Sequence, residues 1–222
     1  MGPELLVVAA LAAEVAYVPP HVPVLLTGVG KVAAAVAVTA ELVRRVEAGR
    51  ATTVLNVGTA GALRPGLAGL FLPSRVINYD ISADALTLLG ASTVTSIDVP
   101  GGDGTTLATG DTFVTDSVMR DRLAVRAHLV DMEGFAVVAA CTAVGVPVRV
   151  AKHVSDAADE SAWDWPRAVD RSAQALGAWV SAMVRPPDGQ DRVAAGDERR
   201  PNQTTSGNAS TTSTATGRNP RA

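Results

Sequence analysis

The chain has 222 residues, 47% of them hydrophobic, and a formal net charge of −3, which suits one substantial core and about one domain once a polar C-terminal stretch is set aside. The first 185 residues hold no Lys/Arg cluster, which argues against a nucleic-acid groove. The single cysteine, Cys141, rules out an intrachain disulfide framework or a Cys-based zinc site and fits a reducing compartment, and His21, His128 and His153 lack metal-ligand spacing, so no metal is expected.

Leu5–Ala10 is a continuous apolar run and reads as a buried strand. The longer stretch to Ala13 has no basic residue before it, is broken by Glu14 and is too short to span a bilayer. Neither a signal peptide nor a membrane helix is expected, and the expected location is cytoplasmic. Val22–Leu26 is a second strand. Gly28-Val29-Gly30-Lys31 opens an Ala-rich helix through about Glu47, with Gly49 as its stop. Thr53–Val57 is a third strand, ending in Gly58-Thr59-Ala60-Gly61, and Ser74–Asn78 a fourth. Residues 79–106 mix Gly, Asp, Ser and Thr with short apolar pieces and read as an irregular connection with room for one helix. Thr106–Thr109 leads into Gly110-Asp111-Thr112-Phe113. Residues 116–126 have helical character, Leu129–Asp131 is a short strand, and Glu133–Val144 is a helix stopped by Gly145-Val146-Pro147. Val148–Val154 is the last strand. Trp165–Val184 is a helix with apolar positions 169, 173, 176, 180 and 183 on one face.

Strand and helix alternate throughout, which argues for a three-layer α/β/α domain over 1–185 with a central mixed sheet. From Pro186 the character changes. Residues 201–217 are polar and uncharged and cannot bury enough apolar surface to offset their conformational entropy, so 186–222 read as a disordered low-complexity tail. Its Asn202-Gln203-Thr204 and Asn208-Ala209-Ser210 glycosylation patterns read as chance matches.

Three carboxylates follow apolar runs, where an open α/β sheet collects its ligands. Each has an ordinary reading beside the functional one. Glu14 is an exposed acid opening a helix, or a base that orients water. Glu133 in Asp131-Met132-Glu133-Gly134 is a helix-start acid favoured by the dipole, or an acceptor for two ribose hydroxyls, with Met132 under the sugar. Asp156, flanked by Ser155 and Asp159, is an Asx turn or N-cap, or a general acid. Gly58–Gly61 is a tight turn, or a floor whose backbone N–H groups approach a sugar or anion. Phe113 is a core aromatic, or a platform for a flat heterocycle. Gly28–Lys31 lacks the spacing of a phosphate loop and reads as a strand-to-helix turn. Cys141 reads as a small core residue, and His153 is a weak candidate for a base.

Taken together, six motifs resemble the purine nucleoside phosphorylase/uridine phosphorylase superfamily, and within it the 5′-methylthioadenosine/S-adenosylhomocysteine nucleosidase branch. In chain order they are residues 10–14, 27–35, 56–61, 110–114, 130–134 and 155–159. The resemblance implies a phosphorylase/hydrolase-like fold and a homodimer; Leu67–Leu72, an apolar run between turn signals, reads either as part of that interface or as the start of a buried strand. It implies a small-molecule nucleoside as partner, with no cofactor, nucleic acid or membrane. It gives Glu14 the attacking water and Asp156 the proton for purine N7, which requires Asp156 to hold a proton near neutral pH, helped by burial or by Asp159. Glu133 and Met132 would hold the ribose. Phe113 and Val114 would hold the base, with Thr59, Ala60, Gly61 and Ser155 beside the sugar. The implied reaction is hydrolysis of a 5′-substituted purine nucleoside; futalosine hydrolase, a phosphorylase and a non-catalytic nucleoside-binding domain are the alternatives. The chain departs from the family pattern at Asp131, where glutamate is usual, at Lys152, where arginine is usual, and in a shortened stretch between Glu14 and Thr27.

Overall fold

Each strand of the sheet alternates its side chains between two helical layers, and this alternation is what a run of consecutive apolar residues provides. The computed structural model describes residues 2–184; the expected tail from 186 onward and both glycosylation patterns lie outside the described residues. The elements are β1 (Glu4–Ala9), a 3₁₀ turn (Ala12–Val15), β2 (Val24–Leu26), α1 (Lys31–Glu47), β3 (Thr52–Ala62), β4 (Leu70–Phe71), β5 (Arg75–Asn78), α2 (Ala83–Leu88), β6 (Ser96–Asp98), β7 (Thr106–Thr109), α3 (Ser117–Ala124), β8 (Leu129–Asp131), α4 (Gly134–Val144), β9 (Val148–Asp156), a second 3₁₀ turn (Glu160–Asp164) and α5 (Trp165–Val184).

Leu6 and Val8 of β1 and Val54 of β3 pack on Ala34, Val38 and Leu42 of α1 and on Val137, Ala140 and Cys141 of α4. Val7, Ala9, Leu55 and Val57, from the alternate positions of the same two strands, pack with Ala151 of β9 on Leu176 and Val180 of α5. The result is the expected three-layer α/β/α arrangement. Of the predicted face of α5, Val169, Ala173, Leu176 and Val180 are buried, and Met183 packs at the margin of that cluster. Cys141 is a core side chain, and burial pushes its thiol up to about 12.

The sheet is mixed, in the order β2-β1-β3-β8-β7-β5-β6, with β9 joined to β3 and β4 joined to β9. Pairs β1–β2, β1–β3, β3–β9, β5–β7 and β7–β8 are parallel; β3–β8, β4–β9 and β5–β6 are antiparallel. The third strand does not end at Val57. It runs on through Gly58–Gly61 to Ala62, pairing with β9 from Val54 to Gly61 with a register shift between Ala60 and Gly61. The turn expected there is therefore a strand, and its small residues serve close packing rather than chain reversal. Residues 79–106 hold one short helix, α2, and the edge strand β6. Leu67, Phe71 and Leu72 pack against the core, and β4 pairs with β9. Among the described residues no helix is long and apolar enough to cross a membrane.

Candidate active site

β1, β3, β8 and β9 bring their C-terminal ends, or the turns after them, to one place. After β1 the 3₁₀ turn folds Glu14 inward, so that it is only 4% exposed. Its Oε2 accepts the Leu11 N–H at 3.1 Å, and its Oε1 accepts the Thr59 N–H at 2.7 Å and the Thr59 hydroxyl at 2.9 Å. The Leu11 bond is the one a turn-opening glutamate makes to its own N-cap N–H, but the two Thr59 bonds come from another strand and would not reach an exposed acid. Glu14 is a buried carboxylate held by three.

Beneath it lies Gly58. A Cβ there would stand 3.1 Å from Glu14 Oε1 and 3.2 Å from Lys152 Nζ, so the missing side chain lets the acid and the ammonium converge closely over β3. Lys152 is fully buried and binds Asp131 Oδ2 at 2.9 Å. Asp131 also accepts Thr109 Oγ1–H at 2.6 Å and the Gly134 N–H at 2.9 Å. Burial alone would pull the Lys152 ammonium pKa down; the negative charges of Asp131, Glu133 and Glu14 outweigh it, and the net direction is up. The two departures from the family pattern, a shorter acid and a shorter base, are thus each other's partner.

Glu133 ends the β8 turn just before α4 and is 9% exposed. Burial, then the neighbouring charges of Asp131 and Glu14, push its carboxyl up to about 7 against the opposing pull of Lys152 and of the Gly30 N–H. That N–H donates to Glu133 Oε1 at 2.8 Å, and the Lys31 N–H donates to Asp111 Oδ1 at 2.8 Å. The Gly28–Lys31 turn is therefore more than the plain strand-to-helix turn that the sequence suggests. The N-terminus of α1, where orphan N–H groups and the helix dipole favour negative charge, receives carboxylates from two other segments. The Lys31 side chain binds Asn78 at 3.0 Å and also Asp80, which fixes the same corner.

Asp156 closes β9. Its Oδ1 accepts the Ala158 N–H at 2.9 Å, the Asx turn that the ordinary reading expects, and its Oδ2 accepts the Ser155 hydroxyl at 2.6 Å. Ala158 adopts a left-handed backbone (φ 49°), which is costly for a residue with a Cβ and is held by complete burial. Gly61 makes room opposite: a Cβ there would lie 3.0 Å from both Asp156 Oδ1 and Ala158 Cβ. Asp159 is engaged elsewhere. Its carboxylate accepts the Ser161 N–H and pairs with Arg120, and the Ser161 bonds hold its pKa below the usual range. His153 points away from these acids: its Nδ1 meets Ser172 Oγ of α5 at 2.9 Å.

Glu14, Thr59, Ala60, Gly61, Phe113, Val114, Met132, Glu133, Ser155 and Asp156, the ten residues singled out from the sequence, all line one cavity of about 330 Å³, within the range of small-ligand sites. Phe113 stands half-exposed at its wall and meets Trp163 edge-on, with ring centroids 5.8 Å apart and an interplanar angle of 88°. Trp163 and Trp165 also line the cavity and were not singled out from the sequence. Two tryptophans within three residues, right after an Asp-rich strand end, are the signal that could have found them. Among the described residues, the lining holds four carboxylates (Glu14, Asp131, Glu133 and Asp156) and no arginine or lysine.

The model of the phosphorylase superfamily matches residues 17–100 and 103–185. The chain belongs to the phosphorylase superfamily. Glu14 precedes the matched range, so its place in the site rests on the geometry above. Comparison with curated protein sequences finds no significant match. Among solved structures, a mutant Helicobacter pylori 5′-methylthioadenosine nucleosidase with 5′-methylthioadenosine in its active site has a TM-score of 0.70 at 22% identity, covering 83% of this chain and 99% of that one. A futalosine hydrolase mutant from the same species has a TM-score of 0.70 at 20% identity, covering 82% and 99%. A Streptococcus pneumoniae 5′-methylthioadenosine/S-adenosylhomocysteine nucleosidase in complex with 8-aminoadenine has a TM-score of 0.63 at 22% identity, covering 81% and 99%. These likenesses establish the superfamily's mixed α/β fold for this chain.

Proposed function

We propose that this superfamily member is a nucleosidase that hydrolyses the N-glycosidic bond of a 5′-substituted purine nucleoside, 5′-methylthioadenosine or S-adenosylhomocysteine, releasing adenine and a substituted ribose. The observation that carries this reading is the convergence of Glu14, Glu133, Asp156 and Phe113 on one cavity. Cleaving the bond builds positive charge on the ribose and negative charge on the base. Asp156 donates a proton to N7 of the leaving purine. Glu14, with three protein donors fixing its orientation, holds the attacking water and favours the cationic sugar. Each such acid or base contributes typically ~10²–10⁴-fold in rate. Glu133 accepts the ribose hydroxyls with Met132 beside it, Phe113 and Val114 hold the base, and Thr59, Ala60, Gly61 and Ser155 complete the wall.

The charge of the cavity favours water over phosphate. A phosphate entering beside Glu14 finds no arginine or lysine on the lining to hold it, and an ionised Glu14 beside it repels it in a partly dehydrated site. A homodimer is part of the proposal. Val32, Val36, Val43 and Val46 of α1 face outward, with Val32 75% exposed. This apolar stripe at helical spacing supports α1 as the interface better than Leu67–Leu72, of which Leu67, Phe71 and Leu72 pack against the core. The single cysteine, unpaired in the core, fits a cytoplasmic enzyme. The test is product analysis with 5′-methylthioadenosine, S-adenosylhomocysteine and futalosine, in phosphate-free buffer and with added phosphate. Free base and a reducing sugar, unchanged by phosphate and lost ~10²-fold or more in Asp156→Asn, are expected. Sugar 1-phosphate among the products would make the chain a phosphorylase.

A further inference from the structure

Glu14 does not stand alone over the cavity floor, and the group behind it comes from a distant part of the chain. Its Oε1 takes both the Thr59 N–H and the Thr59 hydroxyl. A threonine hydroxyl has one proton to give and two lone pairs that accept. The indole Nε1 of Trp165, which can only donate, lies 2.9 Å from Thr59 Oγ1. The direction of the chain is therefore fixed at both ends. Trp165 gives its N–H to Thr59, which leaves the Thr59 proton for Glu14. Without the indole, the Thr59 hydroxyl rotor is free to turn its proton elsewhere, and Glu14 loses the third of its donors for part of the time.

The position of Trp165 in the fold gives the relay a second property. Trp165 opens α5 directly after the 3₁₀ turn Glu160–Asp164, and that turn carries Trp163 against Phe113. The same seven-residue stretch (159–165), capped by Asp159 on the Ser161 N–H, thus touches the aromatic side of the cavity and the Glu14 side at once. We propose that Trp165 is a positioning residue for Glu14, its indole N–H acting through the Thr59 hydroxyl to hold the carboxylate in the orientation that water activation needs. Hydrogen bonds in such a chain polarise one another, which strengthens the bond that reaches the carboxylate. The inference rests on the hydrolase reading above, in which Glu14 handles the water.

The experiment is a double-mutant cycle on the purified full chain, with whichever of the three nucleosides the wild type turns over best. Trp165→Phe keeps an aromatic ring on the cavity wall and removes only the N–H donor and part of the ring volume. Thr59→Val keeps the β-branched shape in β3 and removes the hydroxyl. Trp165→Phe in the wild-type background should lower kcat about 10-fold, the scale of one hydrogen bond, with KM changed less than twofold. In the Thr59→Val background the same substitution should lower kcat no further. Free adenine, which makes no use of Glu14, should bind Trp165→Phe as it binds the wild type in calorimetry. An equal fall in kcat in both backgrounds, or a raised KM with kcat intact, overturns the relay and returns Trp165 to a packing role. Should Thr59→Val not fold, the split between kcat and adenine affinity in Trp165→Phe decides alone: equal loss of both overturns the proposal. A wild type that releases no base from any of the three nucleosides overturns the hydrolase reading and the relay with it, whereas turnover with additive losses overturns only the relay.

Discussion

Replacing Glu133 by glutamine should make the protein more stable above neutral pH while weakening its hold on ribosides. Glu133 is buried among Asp131 and Glu14, and its carboxyl is pushed from the ordinary 4.5 up to about 7. A carboxylate whose folded-state pKa is raised contributes stability that is fully present below the unfolded value and is lost as pH climbs through the folded value. The window for this group runs from about pH 4.5 to 7. Above it the folded chain carries the whole cost of an ionised Glu133, which at about 1.36 kcal/mol per tenfold amounts to roughly 3 kcal/mol. Glutamine is close to the protonated acid in shape, keeps an oxygen for the Gly30 N–H, and carries no charge. The expected gain for Glu133→Gln is therefore on the order of 1–3 kcal/mol at pH 8 and close to nothing at pH 4.5. Urea unfolding of both proteins at several pH values between 4.5 and 8 measures it. Affinity for a riboside, but not for free adenine, should fall in the same variant, since a neutral amide is a poorer acceptor for two hydroxyls than a carboxylate. A stability difference that is flat across this pH range, or a variant that is weaker at pH 8, would refute the argument that the site holds Glu133 at a cost.

The opposite sign is expected at Lys152. Lys152→Met removes the one buried cation bonded to Asp131 and leaves three carboxylates facing one another, which should cost about 3–5 kcal/mol in denaturant unfolding at pH 7; a loss under 1 kcal/mol would show that the pair is not holding this corner. Gly61→Ala puts a Cβ 3.0 Å from Asp156 Oδ1 and from Ala158 Cβ, so both Asp156 and the Ala158 turn must shift by a few tenths of an ångström, at a modest cost in stability. Base release should fall well before stability does, and a variant with unchanged kcat would mean that the position of Asp156 is not critical.

The fold was largely legible because its strands are consecutive apolar runs and its helices keep one apolar face. β1, α1, β7, β8 and α5 fall where periodicity puts them, to within a residue or two. The third strand was cut short at Val57 because glycine is read as punctuation. In β3 it serves another purpose, since Gly58 and Gly61 leave space that Glu14, Lys152 and Asp156 occupy. The Gly28–Lys31 turn was dismissed for the same kind of reason. Its spacing fits no phosphate loop, and nothing local in the sequence says that the anions at the α1 N-terminus are Glu133 and Asp111, which lie 103 and 80 residues away along the chain, respectively. Trp165 escaped notice because a tryptophan at a helix start is unremarkable until Thr59 is seen beneath it. In each case the missing information is a contact between segments far apart in sequence, while the residues that act directly on a ligand sit in short motifs that local reading can find.

The same contacts explain how so acidic a cavity stays folded. Four carboxylates on one wall would repel one another in a site partly shielded from water, yet each has its own compensation. Asp131 is neutralised by Lys152 at 2.9 Å and bonded to Thr109 and Gly134. Glu14 takes three donors, two of them from Thr59, and Asp156 is held by Ser155 and the Ala158 N–H. Glu133 has only the Gly30 N–H, and it is the carboxyl among these four that is pushed up to about 7. In the proposed reaction it is also the one whose natural partners, two ribose hydroxyls, arrive with the substrate. A carboxylate short of donors in the free protein is one that gains most from a ligand bringing them. Riboside binding should therefore stabilise the ionised form of Glu133 and release protons near pH 7. Calorimetry in buffers of different ionisation enthalpy measures that release, and a binding enthalpy independent of buffer at pH 6.5 would break the link between the strain at Glu133 and recognition of the sugar.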